Sequence, residues 1–385
     1  MTGRLRVGIV GLEAGRSWGA LAHVPALRAL SDSFEIVGVA NTSLGSAAAA
    51  AAACGIPQAF ESVDALAASP NIDVVAVTVK VPHHRQVVSA AVAAGKHVYC
   101  EWPLGNGLAE AEELAALVKA KGVLGVVGTQ ARAAPQILHL RDLVADGFVG
   151  DVLSTTLTGY GGGWGASFEN ERAWAYGLDR KNGATMLTVS VGHTLAAVRD
   201  VLGDIDEVSA LLASRRRQAR ALDTGATLPM TAPDQVLVNG VLASGAPISI
   251  HYRGGAPRGT DGFIWEINGT AGDIRVTAPD GNTQMAPLSL HGGRGEECAL
   301  RPLETPIEYR AGAPCDAVTG NVARIYARMA AELRGGARNA PSFADALELH
   351  RLIAAIEHAD DTGRSLAPAA PGFNAQRWRH GARGA

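Results

Sequence analysis

The stretch that most constrains the fold is residues 5–27, LRVGIVGLEAGRSWGALAHVPAL. Its first part, Leu5 to Val10, is a short run of aliphatic and β-branched residues, which is typical of a buried parallel strand. The run ends at Gly11 in a glycine-containing turn, and Trp18 to Leu27 then predicts a helix. A strand, a glycine turn and a helix in this order direct backbone N–H groups and a helix N-terminus toward a place where a pyrophosphate can bind.

The glycine fingerprint of dinucleotide-binding turns is incomplete in this stretch. Counted from Gly11, the second and third positions of Gly-x-Gly-x-x-Gly hold Glu13 and Arg16, and Gly15 and Gly19 lie nearby but out of phase. The glycine pattern alone therefore does not identify a dinucleotide-binding turn, and the strand and helix pattern that follows it is needed as well.

The composition sets limits on what the chain can be. Its 385 residues suit two domains, and a net charge of −3 gives no reason to expect a nucleic-acid or membrane-surface partner. No apolar run approaches the ~20 residues of a membrane span, and the N-terminus shows no signal-peptide pattern, so we expect a cytoplasmic protein. The cysteines are too few and too scattered for a disulfide framework or a zinc site, and we expect reduced thiols and no metal.

The first 128 residues alternate between strand and helix patterns. Strand patterns at 5–10, 34–40, 73–79, 97–100 and 123–128 alternate with helix patterns at 18–27, 47–53, 84–94 and 108–120. This alternation predicts an α/β domain at 1–128 with a doubly wound parallel sheet, whose ligand crevice lies beyond the carboxyl ends of the strands. A second domain is expected at 129–368, followed by a loosely ordered tail at 369–385.

The residues at two strand ends bear on the choice of cofactor. After the second strand come Asn41 and Thr42, with no carboxylate to bind a ribose 2′-hydroxyl, and Arg16 in the turn suits a 2′-phosphate, so both NAD and NADP stay open. Lys80 follows the next strand, where a lysine with a lowered pKa can act as an acid or a base. For Arg16 and for Lys80 the alternative is an exposed cation with no role at the site.

The fourth strand end carries Glu101 and Trp102, and Pro103 ends the strand so that these side chains point into the same crevice. The predicted cofactor-binding residues are Gly11, Glu13, Arg16, Ser17, Trp18, Asn41, Thr42, Lys80, Glu101 and Trp102.

Several blocks of the sequence resemble one family. They are VGIVG, AGKHVYCEWPL, GTQARAAP, NGATMLTVSVGH at 182–193, EINGTAGDIRV at 266–276 and DALELHRLIAAIEHADDTGRSL at 345–366. Together they resemble the glucose–fructose oxidoreductase, inositol dehydrogenase and MocA family over residues 4–368. The first stretch and the Glu-Trp pair resemble the branch of that family that includes the fungal galactose-pathway repressor and its bacterial relatives.

The resemblance implies a Rossmann domain followed by a C-terminal α/β domain with an open, mostly antiparallel sheet. One face of that sheet would close over the nicotinamide, and the other would form a dimer or tetramer contact. The implied activity is NAD(P)-linked hydride transfer on a sugar, cyclitol or related polyol.

Two departures from the family pattern affect the expected chemistry. Trp102 stands where the Glu-Lys-Pro block has its lysine, and Val189 stands four residues before His193, where the family has an aspartate. An indole does not exchange protons at neutral pH, and valine cannot orient an imidazole. Either other residues carry the proton transfer, or the protein binds cofactor and ligand without turnover.

The second domain supplies the remaining candidates. Val152–Tyr160 predicts a strand, and the glycine loop after it carries Trp164, which can stack on the apolar face of a sugar or anchor the domain interface. Arginine forks at Arg132 and Arg172 suit a hydroxyl-rich ligand, with an anionic group as a further option. The predicted substrate-binding residues are Gln130, Arg132, Tyr160, Trp164, Arg172, Asp179 and His193. The catalytic candidates are His193 as base, Lys80 in place of the missing lysine, and Tyr176.

The rest of the second domain predicts helices and antiparallel strands. The strands are expected at 235–242, 248–252, 262–267 and 273–277, and the helices at 185–202, 319–334 and 343–361. The basic stretch 213–234 is expected to be a solvated loop or a subunit-contact arm. Because the outer face of the sheet needs a cover, we expect a homodimer or homotetramer.

Two functions follow from these observations. The first is an NAD(P)-dependent oxidoreductase acting on a sugar or sugar-like polyol, with transient oxidation during redox glycoside cleavage as a variant. The second is a non-catalytic NAD(P)-binding sensor or transcriptional regulatory protein.

Overall fold

Strands and helices alternate along the N-terminal third of the chain as predicted, and the structure adds a short strand at Gln58–Phe60 and a short helix at Val63–Ala68 that the pattern did not predict. The structure is a computed structural model that describes residues 3–364, so the tail expected at 369–385 lies outside the described residues. The elements of this part are β1 (Leu5–Val10), α1 (Val24–Ala29), β2 (Phe34–Ala40), α2 (Leu44–Cys54), β3 (Gln58–Phe60), α3 (Val63–Ala68), β4 (Val74–Val77), α4 (His84–Ala93), β5 (His97–Glu101), α5 (Leu108–Lys121) and β6 (Gly125–Gly128). A single π-helical turn, Gly19–His23, precedes α1.

The six strands form one parallel sheet in the order β3-β2-β1-β4-β5-β6. The order reverses between β1 and β4, and in a doubly wound sheet ligands bind at this switch point, beyond the carboxyl ends of the strands. The predicted fold class of this part is confirmed. One boundary differs, because β4 ends at Val77 and Lys80 therefore lies in the loop after the strand.

The remainder of the chain forms a second, larger sheet with helices. Its elements are α6 (Pro135–Ala145), β7 (Val152–Gly161), β8 (Ser167–Phe168), α7 (Glu171–Trp174), α8 (Gly192–Leu202), β9 (Ile205–Ala213), β10 (Gln218–Ala221), β11 (Thr227–Pro229), β12 (Gln235–Leu242), β13 (Pro247–Gly254), β14 (Phe263–Gly269), β15 (Gly272–Ala278), β16 (Ser289–Arg294), β17 (Arg301–Pro302), α9 (Ala317–Leu333) and α10 (Phe343–Thr362). Eight strands pair in the order β17-β16-β15-β14-β7-β13-β12-β9. Only β13 and β7 run parallel, so the predicted open, mostly antiparallel sheet is confirmed.

The described chain divides into two compact units. The first unit comprises residues 3–106, 110–133 and 310–347, and the second comprises 107–109, 134–309 and 348–364. Residues 310–347 thus return to the first unit, although the sequence pattern placed everything after residue 128 in the second domain. The reason is the apolar face of α9, which packs against α1 and the π-helical turn and buries Tyr326 in the core of the first unit.

The sheet of the second unit is buried on one face and more open on the other. The buried face carries side chains such as Val236, Ile250 and Trp265. The indole N–H of Trp265 donates a 2.8 Å hydrogen bond to the Thr155 hydroxyl. On the open face Leu237 pairs with Leu211, which is 58% exposed.

The stretch 213–234, for which a solvated loop or a subunit-contact arm was expected, is in part a small sheet. The stretch contains β10 and β11, which form a small three-stranded sheet with β8. Its end is held by the buried carboxylate of Asp234, which accepts hydrogen bonds from the Arg215 backbone N–H and from the Arg216 guanidinium. Short, polar strands of this kind show no alternation that a sequence pattern reveals.

No helix between residues 3 and 364 combines the length and the hydropathy that a membrane span requires.

The ion pair between Arg6 in β1 and Asp73 just before β4 predicts a measurable contribution to the free energy of unfolding. The Arg6 backbone N–H and guanidinium donate three hydrogen bonds of 2.8–2.9 Å to the Asp73 carboxylate, and the guanidinium lowers the pKa of that carboxyl. A lowered carboxyl pKa stabilises the fold above the unfolded-state pKa of about 3.9, and this stabilisation is lost as the pH falls through the folded-state value. Since the arginine is partly exposed to screening solvent, we expect Asp73→Asn to lower the free energy of unfolding at pH 7 by about 1 kcal/mol.

Urea unfolding at neutral and at acidic pH measures this effect, and the difference between wild type and Asp73→Asn should shrink in acid. Glu35→Gln is the control, because Glu35 forms an exposed pair with Arg4. Equal stability of Asp73→Asn and wild type at neutral pH would show that the buried end of the pair makes no net contribution.

Candidate functional site

The turn after β1 is shaped by a close approach that only glycine permits. Gly11 has φ +97°, and a Cβ atom there would lie 2.7 Å from Val79 Cγ1 and 3.0 Å from the Val79 backbone N. The turn therefore packs directly on the loop after β4, at the switch point of the sheet. Gly11 thus serves the tight turn after β1, which is the role of the first glycine in a dinucleotide-binding fingerprint.

Two predicted cofactor-binding side chains hold this turn in shape. The Asn41 side chain accepts a 2.9 Å hydrogen bond from the Leu12 N–H and donates a 2.8 Å hydrogen bond to the Leu12 carbonyl. The Ser17 hydroxyl accepts a 2.9 Å hydrogen bond from the Glu13 N–H and donates to the Glu13 carbonyl at 3.1 Å. Asn41 and Ser17 thus fix the backbone on which a nucleotide would lie.

Trp18 adds an observation that fits a nucleotide at this turn. Its indole N–H is buried and has no hydrogen-bond partner within the described part of the chain. A buried donor without an acceptor costs free energy unless a ligand oxygen satisfies it. Arg16 and Thr42 are exposed, and Arg16 pairs with Glu13 at 3.8 Å.

The loops after β4 and β5 are joined by His84, which the sequence analysis did not single out. Its Nδ1 atom lies 2.8 Å from the Pro103 carbonyl oxygen, and its Nε2 atom lies 2.9 Å from the Val79 carbonyl oxygen. Burial lowers the pKa of His84, so the ring is neutral and donates one of these two hydrogen bonds. Lys80 is exposed and Trp102 is buried on the two loops that this histidine connects.

Glu101 and Gln130 are brought together at the carboxyl ends of β5 and β6. The Gln130 amide donates to both oxygens of the Glu101 carboxylate at 2.8 Å, and the imidazole of the buried His23 lies 2.8 Å from one of them. Arg132, in the same segment as Gln130, makes a long 3.9 Å ion pair with Asp345. His23 is a second histidine of the site that the sequence pattern missed.

In the second unit, His193 lies inside the packed protein. The side chain is 3% exposed, its Nδ1 atom has no hydrogen-bond partner among residues 3–364, and burial lowers its pKa to about 3. The imidazole is therefore neutral over the physiological pH range, which is the form that can accept a proton, but it is a weak base.

The segment before His193 differs from the continuous α-helix expected at 185–202. Residues Leu187–Val191 form a π-helical turn, in which the Val191 N–H donates to the Met186 carbonyl five residues earlier. Because a π-helical turn holds more residues than an α-helical turn, Val189 does not stand in α-helical register below His193.

Trp164 is placed as a structural anchor. It is 2% exposed, and its indole N–H donates a 2.9 Å hydrogen bond to the Gly177 carbonyl. The ring meets Trp174 edge to face at 6.3 Å, and Trp174 is 41% exposed. The accessible indole face of the pair therefore belongs to Trp174, which was not among the predicted site residues.

The remaining predicted site residues of this unit are Tyr160, Arg172, Tyr176 and Asp179. The Tyr160 hydroxyl accepts a 3.0 Å hydrogen bond from Arg253, and the Asp179 carboxylate accepts one from the Thr231 hydroxyl, also at 3.0 Å. Arg172 is exposed. Burial raises the pKa of Tyr176, so this hydroxyl is protonated at neutral pH and can act as a donor.

Between residues 3 and 364, no group of three or more histidine, cysteine, aspartate or glutamate side chains is arranged to hold a metal ion.

Two family models match two consecutive parts of the chain. The model of an oxidoreductase family with an NAD-binding Rossmann fold matches residues 5–129. The model of the C-terminal domain of Gal80p matches residues 135–278.

Two curated relatives differ in the role that their names give. The galactose/lactose metabolism regulatory protein GAL80 of Kluyveromyces lactis is 30% identical over 305 residues, which are 74% of this chain and 66% of that protein. The dehydrogenase aclE of Aspergillus oryzae is 32% identical over 300 residues, which are 75% of this chain and 81% of that protein.

Solved structures of similar fold include both kinds of protein as well. The transcriptional regulator Gal80p from Kluyveromyces lactis has a TM-score of 0.84 at 28% identity and covers 95% of this chain and 92% of its own. Levoglucosan dehydrogenase, in complex with NADH and L-sorbose, has a TM-score of 0.81 at 22% identity over 94% of this chain and 98% of its own. The second likeness concerns the fold alone.

The turn after β1 can be tested with two glycine substitutions. Gly11 and Gly15 both have positive φ, so an alanine at either position costs about 1 kcal/mol of backbone strain. A Cβ at position 15 meets no atom within 4 Å, whereas one at position 11 meets Val79. We expect Gly11→Ala to weaken NADH binding at least about tenfold more than Gly15→Ala, because a displaced turn costs more than 1.4 kcal/mol.

Fluorescence titration with NADH measures the two affinities, and circular dichroism shows whether each variant is folded. Equal affinities in two folded variants would place the nucleotide away from this turn.

The burial of His193 predicts a pH effect on stability. Between pH 6.5 and about 3 the unfolded chain binds a proton at this imidazole and the folded chain does not, so the free energy of unfolding falls as the pH is lowered through this window. We expect His193→Gln to show a smaller slope over the same window, since the variant cannot titrate at this position. Urea unfolding at a series of pH values measures the slope, and an unchanged slope would mean that His193 is not held neutral.

Proposed function

This chain belongs to the oxidoreductase family with an NAD-binding Rossmann fold, and on that premise we propose that it binds NAD or NADP and oxidises or reduces a hydroxyl-bearing carbon of a sugar or sugar-like polyol. The observation that carries the proposal is the turn at Gly11, which packs on Val79 with no room for a side chain; the buried indole N–H of Trp18, which has no hydrogen-bond partner within residues 3–364, adds to it.

The residues of the first unit fit the dinucleotide. The turn held by Asn41 and Ser17 would support the pyrophosphate, and Trp18 would donate to one of its oxygens. The bound cofactor supplies hydride transfer at its nicotinamide ring. The end of β2 carries no carboxylate and Arg16 is exposed, so both NAD and NADP are proposed and are separated by the assay below.

We propose that residues of the second unit contact the substrate. His193 is neutral and its Nδ1 atom has no hydrogen-bond partner among residues 3–364, so the ring could form a hydrogen bond with a substrate hydroxyl there. We propose His193 as the proton acceptor, Lys80 as the group that takes the place of the missing lysine, and Tyr176 as a donor. The exposed Trp174, rather than the buried Trp164, offers an indole face to a sugar.

The same chemistry has a variant that leaves no net redox change. Oxidation of one sugar carbon to a ketone acidifies the neighbouring C–H, and a base removes that proton as the glycosidic C–O bond breaks and the aglycone leaves as its protonated alcohol. Water then adds to the unsaturated ketone, and the hydride returns to the carbonyl carbon. This variant requires that the cofactor stay bound through the whole cycle.

A regulatory role is the second proposal. It is supported by the GAL80 relatives and by Trp102 and Val189, which stand where the family has the lysine and aspartate of proton transfer. In that role the nucleotide and a sugar would be bound as signals and left unchanged.

We also propose that the chain forms a homodimer or homotetramer through the open face of the large sheet. The exposed Leu211 and its neighbour Leu237 on that face support this assembly, since apolar side chains favour a cover.

Turnover assays separate the two functions. We expect purified protein to change the nicotinamide absorbance with NAD or NADP and at least one of levoglucosan, 1,5-anhydro-D-fructose, D-galactose or a glycoside, and we expect His193→Ala and Lys80→Ala to lose at least about 100-fold in rate, the magnitude of a removed acid or base. Both variants should retain NADH binding, since neither side chain shapes the turn at Gly11.

Arg180→Ala is a control, because Arg180 is an exposed cation outside the predicted site. Glycoside cleavage without net reduction would identify the redox-neutral variant of the reaction. Ligand binding without turnover would identify the regulatory protein and remove the enzyme proposal.

A further inference from the structure

Helix α9 of the first unit carries a buried arginine whose charge is not neutralised by a carboxylate. Arg324 is 8% exposed, although its guanidinium is positively charged at any physiological pH. Its Nη1 atom donates a 3.3 Å hydrogen bond to Asn321 Oδ1, whereas its buried Nε–H has no hydrogen-bond partner and the side chain forms no ion pair among residues 3–364. A buried donor and a buried charge both cost free energy unless a partner satisfies them.

The guanidinium reaches back over the first turn of α9. A Cβ atom at Gly320, four residues before Arg324, would lie 3.0 Å from Arg324 Nη1 and would overlap the Pro314 carbonyl oxygen. A glycine inside a helix is unfavourable relative to alanine. At this position the missing side chain provides the room that the guanidinium occupies, so Arg324 points toward the N-terminal end of α9.

Positive charge accumulates around this guanidinium. Burial, and then the positive charge of Arg328, lowers the pKa of Arg324, and Arg310 acts in the same direction. The positive end of the α9 dipole lies at the same end of the helix. The nearby carboxylate of Asp316 has a smaller effect, and its Oδ1 atom caps the helix by accepting a 2.7 Å hydrogen bond from the Thr319 N–H.

The donors that Arg324 leaves unused indicate the shape of a ligand. Because Nη1 bonds to Asn321, and neither Nε nor Nη2 makes a hydrogen bond within the described residues, the Nε–Nη2 edge remains for a ligand. Two N–H groups on one guanidinium edge match two oxygens of a carboxylate or a phosphate. A phosphate carries up to two negative charges, so three arginines and a helix N-terminus favour phosphate over carboxylate.

We propose that Arg324, Arg310, Arg328 and the first turn of α9 form a binding site for a phosphate group, with Nε and Nη2 of Arg324 as its central donors. The phosphate is free inorganic phosphate or the phosphate group of a small ester. None of these residues belongs to the sets proposed above for the dinucleotide or the sugar, so the site gives the protein a further ligand.

Calorimetry with inorganic phosphate, glucose 6-phosphate and acetate tests this site, with NaCl added to keep the ionic strength constant. We expect Arg324→Gln to weaken phosphate binding by about 10- to 100-fold, because hydrogen bonds to a charged donor are lost. Tighter binding of glucose 6-phosphate than of inorganic phosphate assigns the site to a phosphate ester, and the reverse order assigns it to free phosphate.

Arg338→Gln is the matched control, because it removes the same charge from an exposed position in the same unit. Equal phosphate affinities of wild type and a folded Arg324→Gln would show that water satisfies the guanidinium and would overturn the proposal. Acetate binding as tight as phosphate binding would also overturn it, as would a wild type that binds neither inorganic phosphate nor glucose 6-phosphate.

Two further measurements keep the test decisive if Arg324→Gln does not fold. Arg310 is exposed, so Arg310→Gln leaves no cavity, and we expect it to weaken phosphate binding by about 2- to 5-fold. In the wild type, the exposed Cys315 interacts electrostatically with Arg324, and the exposed Cys298 in the second unit is an internal reference.

The alkylation rates of these two thiols by iodoacetamide, followed by mass spectrometry, report on the occupied site. We expect phosphate to slow the reaction of Cys315 and not that of Cys298, because a bound anion disfavours the reactive thiolate beside it. Equal effects on both thiols at constant ionic strength would overturn the proposal. Neither calorimetry nor alkylation requires a nicotinamide or turnover, so a failure of the oxidoreductase proposal leaves both tests unaffected.

Discussion

The contact on which the first unit depends is the approach of the turn at Gly11 to the loop at Val79. A Cβ atom at Gly11 would overlap Val79 in that loop, so the backbone of Gly11 packs directly against the Val79 side chain. The approach aligns the end of β1 with the end of β4 at the point where the strand order reverses. Asn41 and His84 then secure the neighbouring segments through hydrogen bonds to backbone atoms, which orients the strand ends without using a charged group.

Three buried histidines have different tasks in this molecule. His84 lies between two carbonyl oxygens and joins two loops, His23 joins a tyrosine to a carboxylate, and His193 has an Nδ1 atom without a partner in the described residues. Burial keeps His84 and His193 neutral, because a charged imidazole away from water lacks compensating interactions. The satisfied ring nitrogens of His84 and His23 fit a joining role, whereas Nδ1 of His193 can be satisfied by water or by a ligand atom.

The sequence predicted the parts of the fold that local patterns encode. Buried strands, the glycine turn and the helix after it show in the order of apolar residues, and the ends of parallel strands indicate where Glu101 and Asn41 lie. The return of α9 to the first unit, and with it the contact of Tyr326 with His23, joins residues about 300 positions apart and has no local signature. The π-helical turn before His193 was missed for the same reason. The sequence also left open whether Trp164 stacks on a sugar or is an anchor, since its burial depends on packing with residues distant in sequence.

The geometry also explains how one fold serves both enzymes and regulators. Binding a dinucleotide requires the close-packed turn and a few fixed donors and acceptors, whereas turnover also requires a group that takes a proton at neutral pH. In this chain the close-packed turn at Gly11 is present, while Trp102 and Val189 stand where the family has two residues of proton transfer and burial makes His193 a weak base. The deciding property is therefore the proton affinity of the groups facing the ligand.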